Sequence, residues 1–328
     1  MKLRRRALLS TVPAIGAAIA APAVLGQAAP WPTKPVRILI PFAPGGTSDI
    51  LARLLQPRLQ EALGQSVLVE NRPGANGNIA VDMVAKSAPD GTTFVLTDLG
   101  SLAISPSVTK VPFDLAKDFA PVTVLAYSPH MLAVRPDHPA NSAVELIAYA
   151  KANPGKLNNA TAGLGSAPHL AGARFAHELG IKWTYVPMKG GAEAVQQVAG
   201  SHADLVFNGM VATLPHVKSG KLKGLAVSSA KRHPLAPDLP TIAEASGLKD
   251  FVTGSWQGFL SAAGTPAEIT ARLHAEIVKI VAMPDVAKRF QELGAEPVLS
   301  KPADANTWLQ AESALWAKVV KDAGIKLE

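Results

Sequence analysis

The 328-residue chain has no cysteine, and aromatic residues make up only 5% of it. With no thiol there is no disulfide frame, thiolate zinc site, iron–sulfur cluster or cysteine nucleophile. Charge is also sparse, at 17% of residues against 48% apolar. That balance belongs to a folded chain rather than a disordered one. No serine is flanked by glycine at plus and minus two, and neither HExxH nor GxxxxGKS/T occurs. The nucleophile elbow, the commonest zinc protease signature and the P-loop are therefore absent. Ser-x-x-Lys begins at Ser107, Ser228 and Ser246 without its companion motifs, and the eight histidines are scattered. Neither pattern supports catalysis or a metal site, and no cofactor is implied. No internal repeat of solenoid length occurs.

The net charge of +7 is unevenly placed. Lys2, Arg4, Arg5 and Arg6 stand in a first segment without acids, and without them 28 basic residues face 25 acidic ones. The remaining +3 gives nucleic acid little to hold. The basic cluster precedes an apolar, Ala-rich stretch from Ala7 to Leu25, broken by Pro13 and Pro22 and followed by small residues near Gly26 to Ala29. We read residues 1–28 as an export signal cleaved near Gly26 to Ala29, with Arg4 to Arg6 also permitting twin-arginine export. The prolines make this a poor membrane span, and no later run is long and apolar enough to be one. The expectation is a soluble protein outside the cytoplasm.

Beyond the signal, strand-like runs alternate with helical spacing. Val36 to Phe42 is a near-continuous apolar run, and Asp49 to Leu63 then places Leu51, Leu55, Leu59 and Leu63 on one stripe before Gly64. Strands over Ser66 to Glu70 and Thr92 to Thr97 enclose a short helix from Ile79 to Lys86. Val122 to Tyr127 and Met131 to Arg135 read as two strands, after which the alternation resumes through Leu157 to Ala162, Trp183 to Pro187, Ala203 to Asn208 and Leu222 to Ser228. Trp256 to Ser261 is a further strand, and the tail is helical. Its Trp308 and Trp316 sit at helical spacing and are expected in the core. Two α/β units follow, each with a mostly parallel sheet, and ligands are expected beyond the carboxyl ends of the strands.

Three Gly-rich turns lie at such ends, each opening a helix: Pro44 to Asp49, Gly163 to His169, and Lys189 to Gly191. A helix start has N–H groups without intrahelical partners and a partial positive charge, so it holds a carboxylate without a cationic side chain. Glycine lets the backbone approach closely, while Thr47, Ser48 and Ser166 add hydroxyls. The alternative is that these residues only cap their own helices and turn the chain. The candidate site residues are Gly45, Gly46, Thr47, Ser48, Asp49, Gly165, Ser166, Ala167, His169, Lys189, Gly190, Asn208 and Trp256. Asp49 either pairs with Arg53 four residues on, holds its loop, or accepts from a ligand donor. Lys189 either steers an anion or is solvated, and His169 either donates to a carboxylate or is a neutral structural group. Asn208 closes a strand, facing the cleft or making a turn. Trp256 walls a pocket or packs at a crossing between units.

The chain resembles the substrate-binding receptors of tripartite tricarboxylate transporters, the Bug-type proteins. The resemblance is carried by WPTKPVR from Trp31, PFAPGGTSDILAR from Pro41, VENRPGANG from Val69, ELIAYAKANPGKL from Glu145, GSAPHL from Gly165, VPMKGG from Val186 and LPTIAEA from Leu239. It implies a two-lobed clamshell in the periplasm, here with residues 30–128 and 254–328 in one lobe and 129–253 in the other. It also implies a monomer that closes on a small organic anion, a di-, tri- or aromatic carboxylate, and delivers it to an inner-membrane permease. By the resemblance, Gly45 to Asp49 form the cradle of one lobe, and Ser166 and His169 that of the other, with Gly190 and Gly191 in its second loop. Met188 stands where the family usually has Tyr, and Asn76 where Gly is common. An exported α/β hydrolase and the ligand-reporting partner of a membrane sensor remain alternatives on the same topology.

Overall fold

The computed structural model describes residues 31–323, so the expected export signal lies outside the described residues. Strands β1 (Val36–Ile40), β2 (Val67–Asn71) and β3 (Thr93–Asp98) form a parallel group in the order β2-β1-β3. Three helices alternate with them: α1 (Thr47–Leu63), α2 (Asn78–Ala85) and α3 (Leu99–Val108). A long strand, β4 (Phe119–Val134), then leads to α4 (Ala143–Ala152), β5 (Asn158–Thr161), α5 (Ala167–Leu179), β6 (Thr184–Pro187), α6 (Gly191–Ala199), β7 (Leu205–Gly209), α7 (Met210–Lys218), β8 (Lys223–Val227) and α8 (Ile242–Ser246). The chain returns on β9 (Gly254–Ala262) and ends with α9 (Ala267–Val281), α10 (Pro284–Leu293), the two-residue β10 (Glu296–Pro297) and α11 (Pro302–Ala323).

The ten strands form one mixed sheet. β5 lies parallel to both β6 and β7, as β1 does to β2 and β3. The expected parallel character therefore holds within each group of three. The strands joining the groups are antiparallel: β9 pairs with β3 and β4, and β4 pairs with β7 and β8. Val122 to Tyr127 and Met131 to Arg135 had the marks of separate strands because Ser128 and Pro129 interrupt them. They are instead one strand that changes partner. From Phe119 to Pro129 it bonds β9, and from His130 to Val134 it bonds β7 and β8. Pro129 lacks an N–H and falls at the change of partner.

Alternation along the strands assigns side chains to opposite faces. In β1, Ile38 and Ile40 join a cluster with Leu51, Leu55 and Leu59 of α1 and Leu273 and Ile277 of α9. Leu39 joins the other face, with Val81 of α2, Leu99 and Leu102 of α3, and Leu309 of α11. The second group repeats the scheme, Leu132, Leu205 and Phe207 packing with α4 and α5, while Ala133 and Val206 pack with α6. Each group of strands thus carries helices on both faces, and Val211 of α7 joins the core of the first group. Trp308 and Trp316 are partly buried against core residues. Gly64 ends α1 in the left-handed conformation (φ 66°), its N–H donating to Gln60 O, and α1 runs through Pro57.

Gly258 of β9 has no room for a side chain. A Cβ there would lie 2.4 Å from Leu99 Cδ1 and 2.7 Å from the carbonyl oxygen of Thr123. The backbone oxygen cannot yield without breaking sheet register. Gly258→Ala is expected to cost about 2 kcal/mol or more by overpacking, read as a lowered midpoint in urea denaturation.

Candidate functional site

The carboxyl ends of β1, β3 and β7 open on one cleft, lined by Phe42, Ala43, Gly46 to Asp49, Asp98, Ser101, Ala162, Pro168, Gly191, Asn208, Ser255 and Gln257. Its volume is about 30 Å³, room for about two waters. The two sides touch directly. Ala43 N–H donates to Lys189 O across 3.1 Å, and Ala167 N–H donates to Ser101 Oγ across 3.0 Å. Gly190 lies so close to Phe42 that a Cβ would come within 2.9 Å of the phenylalanine Cβ.

The starts of α1, α3, α5 and α6 all contribute lining residues, and they differ in how their first N–H groups are satisfied. In α3, Asp98 is the cap, its Oδ1 accepting from Gly100 N–H and Ser101 N–H at 3.0 and 3.3 Å. In α5, Ser166 Oγ accepts from His169 N–H, Ala167 N–H goes to Ser101, and Pro168 has none to give. That first turn is fully engaged. In α1 and α6 the caps are Gly46 and Gly190, and neither helix has a side-chain cap bond. The leading N–H groups of Thr47 to Asp49, and of Gly191 to Glu193, precede the first carbonyl acceptor of their helices. Uncapped helix starts thus come from both sides of the cleft.

Thr47 adds a hydroxyl, and Gln257 an amide nitrogen. The Gln257 Oε1 accepts from Ser48 Oγ at 2.6 Å, which orients the amide and occupies the Ser48 hydroxyl. Asp49 is buried, but its carboxylate is spent on structure: it accepts from Gly45 N–H, Arg53 Nε and Asn71 Nδ2 at 2.9 to 3.0 Å. Asn208 reaches Thr213 Oγ1 at 3.3 Å and stands against Gly191, where a Cβ would be 2.2 Å from its Oδ1.

Five of the thirteen candidates from the sequence line the cleft: Gly46, Thr47, Ser48, Asp49 and Asn208. The others stand behind it. Gly45 has φ 83° and turns the loop, and Gly190 is the α6 cap. Gly165 N–H donates to His169 Nδ1, and the His169 ring meets Tyr185 edge-on at 4.6 Å. Burial pushes the His169 imidazole down to about 4, so it is neutral. Ser166 is wholly buried, its hydroxyl donating to Gly163 O at 2.7 Å, and Ala167 is bonded to Ser101. The Lys189 side chain is exposed and its N–H bonds Glu193. Trp256 packs between Tyr127 and Trp308, with ring centroids at 4.6 and 5.3 Å. Met188 packs beside the α6 core, and Asn76 is left-handed at φ 53° with its amide against Gly163.

Sequence reasoning passed over Phe42, Ala43, Asp98, Ser101, Ala162, Pro168, Ser255 and Gln257 as site residues. Asp98 ends β3, so the rule that ligands gather beyond strand carboxyl ends would have found it. Ser255 and Gln257 carry no local signal; pairing of β9 with β3 places Gln257 opposite Asp98. Among the described residues no cation lines the cleft and no cluster fit for a metal occurs.

The fold is that of the two-lobed periplasmic binding proteins. The solved structure of periplasmic binding protein BugD matches it at TM-score 0.86, with 35% identity over 91% of this chain and all of BugD. The chain belongs to the tripartite tricarboxylate transporter family receptors, whose profile matches residues 51–325. Rpa4515 of R. palustris, solved with adipate, is 38% identical over 90% of this chain and 99% of its own, at TM-score 0.86. MatC of Rhodopseudomonas palustris, solved with bound malate, is 32% identical over 88% of this chain and all of its own, at TM-score 0.82. No described helix is long and apolar enough to cross a membrane.

Two buried histidines set a pH dependence for the fold. Burial holds His130 down to about 3 and His169 to about 4, whereas both titrate near 6.5 when unfolded. The unfolded chain therefore binds more protons in that interval, and stability falls as pH drops below about 6.5. Asp98, raised to about 6 by burial, works in the opposite sense and offsets one of the two. From these three groups the expectation is a loss of roughly 3 kcal/mol between pH 6.5 and 4, and His138, His216 and His233, also lowered by burial, act in the same direction; thermal melts across that range measure it.

Proposed function

We propose that the protein is an extracytoplasmic receptor that binds a small organic carboxylate in this cleft, without turnover, and hands it to a membrane permease. One observation carries the reading: uncapped N-termini of α1 and α6, with Gly46 and Gly190 as caps, meet at one cleft from opposite sides. Each offers backbone N–H groups and the positive end of a helix dipole to an anion. The adipate solved with Rpa4515 and the malate bound to MatC support a carboxylate as the ligand class. Family membership supports delivery to a permease and a periplasmic location.

A carboxylate of several carbons is much larger than two waters, so its entry requires the sides to part. We place the lobes at residues 31–128 with 254–323, and 129–253, because β4 changes partners between Pro129 and His130 and β9 begins at Gly254. In this scheme the ligand favours closure by bonding both helix starts at once.

The hydrolase alternative centres on Ser255, which lines the cleft 3.4 Å from His130 Nε2. That histidine is a poor base. Its Nδ1 faces Thr253 Oγ1 at 3.1 Å rather than a carboxylate, and burial holds it down to about 3. A base so far below neutrality does not activate a hydroxyl.

Calorimetric titration of the protein with di-, tri- and aromatic carboxylates should show saturable one-to-one binding, and silence across the panel from folded protein rejects the receptor reading. Thr47→Ala should weaken the bound carboxylate by about 1 kcal/mol or more, as a hydrogen bond to a charged group is lost. Ester or amide turnover lost on Ser255→Ala would favour the enzyme.

A further inference from the structure

An anion site with a buried acid in its wall is an electrostatic contradiction, and Asp98 creates one. It lines the cleft at 5% exposure, on the end of β3. Its Oδ1 accepts N–H groups from Gly100, Ser101 and, at 3.4 Å, Trp256, and the nearby Ser255 hydroxyl favours the charged carboxyl. Oδ1 is saturated by these amides, which leaves Oδ2 as the acceptor with capacity for a further donor.

Among the described residues no ion pair includes Asp98. On α1, Asp49 is held by Arg53. On β9 the neighbours Ser255, Trp256 and Gln257 are uncharged, and on β4 the ring of the neutral His130 faces Thr253 and Ser255. On α5, His169 is neutral and bonded to Gly165. On α2, Asp82 and Lys86 pair with each other. The helix packed on α3, α11, carries the half-buried Glu312, Lys318 and the exposed Lys321. Glu312 is itself raised by burial.

We propose that Asp98 is a specificity-determining residue of the cleft, selecting carboxylates that carry a hydrogen-bond donor, a hydroxyl above all, beside the carboxylate held by the helix starts. This rests on the receptor reading above and narrows its ligand class. A ligand hydroxyl donates to Oδ2 and lets both charges stay. A bare carboxylate of the same length leaves the acid unpaired in a desolvated place, which costs more than the missing bond itself. It binds well only when Asp98 takes up a proton, and burial already holds that carboxyl up at about 6. The same group then yields two signatures: discrimination near and above neutral pH, and a loss of discrimination in acid.

The test is calorimetry on the full protein with two matched pairs, succinate with malate and adipate with 2-hydroxyadipate, from about pH 5.5 to about pH 8. The better-fitting pair should show the hydroxylated member about tenfold tighter at the alkaline end, the gap closing as pH falls because the bare member gains affinity. Asp98→Asn retains a capping acceptor for α3 and should remove both the gap and the pH slope. A purely structural role would lower stability and leave rank order and slope in place. If the variant folds poorly, wild-type titrations in Hepes and Tris at neutral pH measure protons taken up on binding. Fractional uptake with the bare acid and none with its hydroxylated partner supports the assignment. Equal uptake, an unchanged slope in the variant, or a bare acid bound more tightly at alkaline pH overturns it. Binding elsewhere in the carboxylate panel with neither pair bound overturns this inference alone; silence across the whole panel removes the receptor reading beneath it.

Discussion

Two glycine-capped helix starts facing one another across a narrow gap are the constraint on which the rest depends. Every helix begins with amides that need acceptors, and a fold normally supplies them from its own side chains. Here α3 and α5 follow that practice, through Asp98 and Ser166. The helices α1 and α6 do not. A hydroxyl or carboxyl side chain at Gly46 or Gly190 would occupy those amides. At Gly190 it would also strike Phe42, and its φ of 141° is one that side-chain residues rarely adopt. The glycines thus keep donors available and allow the two sides to approach, with one structural choice serving both ends.

Acidic residues sharpen the picture because the cleft has two of them and they are used differently. Asp49 sits at the start of α1, where a carboxylate is stabilised by the helix dipole, but it turns back to Gly45, Arg53 and Asn71. It fixes the loop that holds the α1 amides and leaves the cleft free of its charge. Asp98 is instead the N-cap of α3, and among the described residues no ion pair includes it, so in the proposed receptor its charge is felt by whatever enters. A cleft with amides on two sides and an unpaired acid on a third distinguishes the ends of a ligand, whereas amides alone respond only to negative charge.

Much of this was legible in the sequence. Strands buried on both faces leave continuous apolar runs, α1 has a clean leucine stripe closed by Gly64, and the Gly-rich turns mark loops at strand ends. What stayed hidden has physical causes. The helix α3, with a glycine, three serines and Pro106 among its ten residues, is nearly all buried over its first seven and so lacks the one-sided pattern that reveals a surface helix. Missing α3 meant missing its cap, Asp98. The serine turn at Ser166 and the glycine turn at Gly190 looked equivalent because both open helices after strands. Only the coordinates reveal that Ser101, distant in sequence, satisfies Ala167 and completes the first turn of α5.

That same Ser101 contact bears on how the cleft works. Ala43 with Lys189 and Ala167 with Ser101 form two hydrogen bonds that join the sides without a ligand. Each contributes only about 1 kcal/mol net, since water replaces it when the groups part, so in the proposed receptor the pair would bias the cleft toward closure without locking it. A ligand adds bonds that exist only when both helix starts are near, and its differential affinity is what moves the population further. Because the free donors are backbone amides fixed by their helices, little side-chain entropy is lost when they engage. Selectivity therefore falls to the few side chains that can discriminate, Thr47, Gln257, Asn208 and Asp98, and of these only Asp98 brings an uncompensated charge.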